Sequence, residues 1–190
     1  MISISDNPIS QYWKSEVIDS WTSFGYSVNH FEAITPKSLH LFENELTFRS
    51  ARSGRPFTDT EKAVWCSHYS LWKQAIHSPI IVIEHDIMLH EPLPSNFSNE
   101  QVDSFAATYV PKAKEYRLLP AGAYYITPAG AAQLIKSATS SPIFGNVDAY
   151  IHILGLDINK EQPNAYGANL IAEQMFDDAV GSTIDHGRKK

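Results

Sequence analysis

Residues 80–89 read IIVIEHDIML: four consecutive aliphatic residues, then Glu84, His85 and Asp86 before the chain turns apolar again. Such an uninterrupted apolar run predicts a strand buried on both faces of an α/β sheet. Carboxylates at its end put charge at the carboxyl edge of that sheet, where open α/β folds bind ligands. If the chain stays extended past Ile83, Glu84 and Asp86 point to one side and His85 to the other. Two hard oxygen ligands on one side suit Mg²⁺ or Mn²⁺, which can bridge a nucleotide diphosphate. An acidic pair that simply stays hydrated is the alternative.

The segment just before this strand, TEKAVWCSHYSLWKQAI at 60–76, predicts a strong helix. Thr58 with Glu61 has the form of a capping box, and Val64, His68, Trp72, Ala75 and Ile76 share one side. Ser78 and Pro79 break the helix. On that face His68 reads as a hydrogen-bonded core histidine. Ser67 and His68 are neighbours and do not face each other, which argues against a Ser-His catalytic pair. Cys66, on a mostly apolar helix, reads as an inert small hydrophobe. The eight histidines show no structural-zinc spacing.

Further upstream, residues 2–5 allow a short strand, and Asn7 and Pro8 supply a helix cap and a first-turn proline. Ile9, Trp13, Val17 and Trp21 recur every four residues, the stripe of a helix ending near Gly25. Residues 26–34 alternate as a second strand, so the opening is β-α-β. Between 37 and 57 the pattern weakens to a surface loop around a short helix. Arg49, Arg52 and Arg55 cluster there; guanidinium groups match phosphate oxygens, but a solvated loop is the favoured reading. Neither GxxxxGK[ST] nor GxGxxG occurs.

Downstream, 105–110 and 121–126 predict strands, and Thr127 with Pro128 starts a helix over 129–137 with Leu134 and Ile135 inward. Asp148 opens a short helix to Leu154. The last thirty residues, with Gly155, Gly167 and Gly181, give no assignable pattern.

A chain of 190 residues predicts one globular domain over 1–190, and 43% hydrophobic with 12% aromatic residues excludes a disordered chain. Fifteen Lys and Arg against twenty-one Asp and Glu, a net charge of −6, disfavour a nucleic-acid partner. The lone cysteine rules out an internal disulfide. The opening MISISDNP lacks a basic segment followed by an apolar run, and no stretch of about 18 apolar residues occurs. The expectation is a soluble, cytoplasmic protein with no transmembrane segment.

Four segments in order, TEKAVWCSHYSLWKQAI, IIVIEHDIML, AGAYYITPAGAAQLI and NVDAYI, together resemble glycosyltransferase family 25, the lipopolysaccharide-biosynthesis and collagen-galactosyltransferase type. Glu61, Ser67, His68 and Trp72 match its first helix and Glu84 and Asp86 its Glu-Asp-Asp strand end. Gly122 starts the third element, Gly130, Ala131 and Leu134 continue it, and Asp148 matches the last. The opening ISISDNP, followed by a helix and HFEAI, is similar to the family's β-α-β, and Gly181, Ser182, Thr183 and Ile184 to its ending. Three departures stand out: His85 replaces the middle acid, Ala63 a family glycine, and DNPISQYWK the usual arginine-bearing segment.

The resemblance implies a single GT-A type, Rossmann-like α/β domain. It implies transfer of a sugar, galactose among the candidates, from a nucleotide diphosphate donor, with uridine as its nucleoside, to a hydroxyl of a glycan or lipopolysaccharide-type acceptor. Mn²⁺ or Mg²⁺ would sit on Glu84 and Asp86, with Asp86 the main ligand and Glu84 its partner or else a ribose or water-mediated contact, and Glu84, His85 and Asp86 would form the donor-binding set; imidazole can itself bind Mn²⁺. Asp148 is the candidate acceptor-side base, against a plain helix N-terminal acid. Glu61, His68, Trp72 and Gly122 would support these groups. The competing readings are a non-catalytic nucleotide-sugar or glycan-binding module, with His85 marking loss of metal function, and a nucleotide-sugar hydrolase.

Overall fold

The computed structural model describes residues 1–51, 54–95, 97, 102–110, 115–153 and 171–175. Arg52, Leu154, Gly155, Gly167 and the Gly181 to Ile184 ending lie outside them. The chain opens with strand β1 (Ile2–Ser3), helix α1 (Pro8–Ser23) and strand β2 (Phe31–Glu32). Asn7 caps α1 by accepting the Ser10 N–H at 3.0 Å, Pro8 occupies the first turn, and Trp13, Val17 and Trp21 are buried. The strand expected over 26–34 is only two residues long. β1 offers just Ile2 and Ser3 for pairing, so the parallel ladder stops at Phe31 and Glu32.

A 3₁₀ helix (Pro36–Phe42), β3 (Phe48–Ser50) and α2 (Asp59–Ala75) follow. The capping box of α2 is reciprocal: Thr58 accepts the Glu61 N–H and Glu61 accepts the Thr58 N–H. Then come β4 (Ile80–Ile83), β5 (Ile87–Leu89), β6 (Val102–Ser104), β7 (Ala106–Val110), β8 (Glu115–Leu118) and β9 (Ala123–Ile126). Helix α3 (Pro128–Ser140), capped by Thr127, β10 (Ile143–Phe144), α4 (Val147–Ile153) and β11 (Ala172–Gln174) complete the elements. β3, β5, β6, β8, β10 and β11 were not expected; each has at most four residues, too few for a periodic signal.

The architecture is mixed α/β, with the strands in small sheets. β4 pairs antiparallel with β9, which pairs antiparallel with β6; β5, β11, β7 and β8 form a second sheet, and β10 pairs with β3. A parallel bridge from Ile2 to Glu84 sets β1 between β2 and the end of β4. The carboxyl ends of β1, β2 and β4 therefore emerge together. From β1 the chain goes to β2 on one side while β4 lies on the other, the reversal of strand order beside which open α/β sheets take ligands.

The alternation along β4 assigns its faces. Ile80 and Val82 pack in the core with Trp65, Leu71 and Trp72 of α2; Ile81 and Ile83 pack with Val17 and Trp21 of α1. On β9, Tyr124 and Ile126 join the α2 side and Ala123 the α1 side. Helix α1 also bonds β5 directly: Trp21 Nε1 donates to the Ile87 carbonyl at 3.0 Å, and the Leu89 N–H donates to Ser20 Oγ at 3.2 Å. Among the described residues no helix is long and apolar enough to cross a membrane.

Candidate active site

Glu84 continues the parity of β4 onto the α2 side, where His68 waits for it. His68 Nε2 lies 3.4 Å from Glu84 Oε1, and His68 Nδ1 lies 2.9 Å from the Tyr124 hydroxyl, which in turn accepts the Trp72 indole N–H at 2.9 Å. His68, Trp72 and Tyr124 are completely buried, whereas the Glu84 side chain keeps 21% of its surface. The series therefore runs from the core to a partly exposed carboxylate. Burial holds the His68 imidazole down to about pKa 4, against the charge of Asp148, so it is neutral near pH 7. The Glu84 carboxyl is pushed well up, first by burial of its charge among the surrounding groups and then by Asp86 and Asp148.

Asp86 is not where an extended chain would put it. The Ile87 N–H reaches back to the Glu84 carbonyl at 3.3 Å, so His85 and Asp86 occupy a turn and the two carboxylates do not share a strand face. The turn sends Asp86 toward β11. Its Oδ2 accepts the Gln174 side-chain N–H at 3.0 Å and its carbonyl accepts the Met175 N–H at 2.7 Å, while Oδ1 is buried with no hydrogen-bond partner among the described residues. Burial raises the Asp86 pKa, with His85 and Gln174 pulling the other way. The His85 imidazole is held below its ordinary value by burial, opposed by Asp86 and a hydrogen bond to the Ile2 backbone. The two acids remain close enough to feel each other's charge, although they approach from different sheets.

Asp148, in the first turn of α4, is near enough to Glu84, His68 and Tyr124 for its charge to act on all three. Its Oδ1 accepts the Ala121 N–H at 3.0 Å and its Oδ2 the Asn146 side-chain amide at 3.3 Å, so it also ties α4 to the loop before β9. Gly122 holds the backbone of Glu84, accepting its N–H at 2.8 Å. A Cβ on Gly122 would stand 2.6 Å from the end of Leu119 and 3.0 Å from Ile87, so the close approach there requires glycine unless Leu119 moves.

Glu61 lies apart from this group. It forms a fork with Arg55 at 2.8 and 2.5 Å beside the Thr58 cap, and the Arg55 bonds take its pKa down to about 2. Arg49 stands 5.2 Å over the Phe144 ring. Cys66 is buried, and that burial pushes its thiol up to about 12. Ser67 accepts the Ile34 N–H and donates to the Ala63 carbonyl, fastening the chain after β2 to α2.

A groove of about 460 Å³ opens at the carboxyl ends of β1 and β2, lined by Ser5, Asp6, Glu32, Thr35, Lys37 and Ser38 among others. A larger cavity of about 600 Å³ lies between Trp21, Tyr26 and the start of β4, and neither it nor the groove is lined by Glu84, Asp86 or Asp148. Among the described residues no three His, Cys, Asp or Glu side chains gather as a ready metal cage. Asp86 Oδ1, buried and without a hydrogen-bond partner among the described residues, is a carboxylate oxygen with the chemistry a hard cation needs. Sequence reasoning missed Tyr124 and Gln174; a tyrosine in an apolar strand whose hydroxyl would need a buried partner is the signal that marks the first.

A family model for glycosyltransferase family 25 (LPS biosynthesis protein) matches residues 9–117. The matched segment holds Glu61, His68, Trp72, Glu84, His85 and Asp86, while Gly122, Tyr124, Asp148 and Gln174 lie beyond it. No curated protein matches the chain.

Proposed function

The chain belongs to glycosyltransferase family 25, and on that premise we propose that it transfers a sugar from a uridine diphosphate sugar to a hydroxyl of a glycan or lipopolysaccharide-type acceptor. The observation that carries this reading is that Asp86 and Asp148 both come near enough to Glu84 for their charges to act on it beyond the carboxyl end of β4, on the side where the carboxyl ends of β1 and β2 also emerge. In the proposed reaction the acceptor oxygen bonds to the anomeric carbon and the bond from that carbon to the diphosphate breaks. The acceptor proton passes to a carboxylate, for which Asp148 is the candidate. Its two existing hydrogen bonds fix its orientation without using all its lone pairs.

Asp86, through Oδ1, would hold Mn²⁺ or Mg²⁺, with Glu84 and His85 as the candidate further ligands and the remaining positions falling to diphosphate oxygens and water. When bound, the cation supplies positive charge to the departing diphosphate. Gln174 keeps Asp86 turned so that Oδ2 is occupied and Oδ1 is free. A GT-A type, single-domain frame is part of the same proposal, supported by the ligand-side convergence of β1, β2 and β4.

Release of uridine diphosphate from uridine diphosphate sugars, measured with Mn²⁺ or chelator and with or without glycan acceptors, tests it. A transferase releases diphosphate faster when the right acceptor is added. Release that ignores every acceptor makes the protein a hydrolase, and stabilisation by the sugar nucleotide without release makes it a binding module.

A further inference from the structure

The direction of the hydrogen bonds between Trp72 and Glu84 can be worked out from donor chemistry alone. An indole N–H only donates, so the Tyr124 hydroxyl is its acceptor. That hydroxyl still carries its own proton in a fully buried position, and its other partner among the described residues is His68 Nδ1 at 2.9 Å. If Nδ1 were the donor, the Tyr124 proton would be buried without an acceptor among the described residues. With Tyr124 donating to Nδ1, every group is satisfied. The His68 proton then sits on Nε2, aimed at Glu84 Oε1.

We infer that Tyr124 is a positioning residue, which through His68 locks the Nε2–H tautomer and thereby keeps a fixed donor on Glu84 at the edge of the donor site. Two further features make Tyr124 suited to this. It lies on β9 directly across from Val82 of β4, so its backbone is tied to the strand that delivers Glu84. Its ring stacks on His68 at 5.8 Å with 27° between the planes, which restrains the imidazole about the axis that would otherwise turn Nε2 away. The four residues come from α2, β9 and the end of β4, so Glu84 is oriented by the packing of helix on sheet.

The inference rests on the donor-site reading of Glu84, and two separate measurements distinguish failure of one from failure of the other. In the full-length wild-type protein with ¹⁵N-labelled histidine, the His68 ring, assigned by its loss in His68→Gln, is expected as the Nε2–H tautomer. Its Nδ1 should have the shift of a nitrogen that accepts a hydrogen bond. The Nδ1–H tautomer overturns the inference, whatever the protein catalyses. Tyr124→Phe keeps the ring and removes the hydroxyl. It is expected to move the Nδ1 resonance to that of an unbonded nitrogen and to lower Mn²⁺-dependent turnover of uridine diphosphate galactose by about 10- to 100-fold, the usual size for losing a group that orients a site side chain.

Turnover within twofold of wild type in a folded Tyr124→Phe also overturns it, since a purely structural hydroxyl would change the melting temperature and leave rate and donor KM alone. If Tyr124→Phe does not fold, Trp72→Phe takes its place: it removes the outer donor together with part of a buried ring but leaves Tyr124 and His68 in place, so the tautomer should persist with a smaller loss of turnover, and loss of the Nε2–H form in the folded variant contradicts the assigned direction. An Nε2–H tautomer in a protein that turns over no nucleotide sugar supports the hydrogen-bond order and counts against the transferase reading.

Discussion

Glu61, in the first turn of α2, and Glu84, which meets His68 of the same helix, are held in opposite ways. Glu61 receives an arginine fork and a helix cap, and its pKa falls to about 2. Glu84 receives one long imidazole contact and faces Asp86 and Asp148, and its pKa rises. Among the described residues no lysine or arginine pairs with Glu84, Asp86 or Asp148. A carboxylate already matched to a cation is part of the scaffold. Acids crowded together without one leave a place for positive charge, and that contrast separates the two halves of the family-like sequence pattern more sharply than their spacing does.

The largest expected effect comes from cutting the core end of the support for Glu84. Trp72→Ala should cost about 3–5 kcal/mol in chemical denaturation, because it empties a fully buried site and strips the Tyr124 hydroxyl of its donor. A loss below about 1 kcal/mol would mean that Glu84 is not braced through α2.

A smaller effect separates the matched carboxylate from the crowded ones. Glu61→Gln keeps an oxygen for the Thr58 N–H but loses the Arg55 charge pair, so the cost near neutral pH is about 0.5–1 kcal/mol. Because the folded-state pKa of Glu61 is depressed, its contribution is fully present above its ordinary value of 4.5 and is lost as pH falls toward about 2. Denaturation curves of wild type and variant should therefore converge on acidification. Curves that stay parallel down to pH 2 would remove Glu61 from the matched class.

The smallest effect on stability is expected where the effect on function is greatest. Asp86→Asn removes a charge that burial already opposes, so stability should stay within about 1 kcal/mol of wild type while Mn²⁺-dependent donor binding and turnover disappear. If Asp86 serves only to bind Gln174 and the turn, stability should instead fall by about 1–3 kcal/mol with metal-dependent turnover intact. Denaturation and calorimetry on this one variant decide between them.

Much of the scaffold could be read directly from residue types. The Asn7-Pro8 cap, the Thr58-Glu61 box and the four aliphatics of β4 each state their element locally. The position of Asp86 could not, because extended parity was carried past Ile83 into a turn, and what ends the strand is the backbone bond from Ile87 to Glu84. Tyr124 and Gln174 depend on which strands meet across the sheets, and short strands carry too little periodicity to reveal their partners. Glu84 and His68 were separately visible; the residue that connects them to Trp72 was not.

The two bonds from α1 to β5 have a consequence for self-association. β5 ends its sheet, so one row of its backbone groups would be open to pairing with a strand from another molecule. Trp21 takes the Ile87 carbonyl and Ser20 the Leu89 N–H, so a donor and an acceptor that such a strand would need are already in use. Helix α1 thus acts as a guard rail along β5, and a chain that lost Trp21 would expose a sticky edge immediately after its acidic turn.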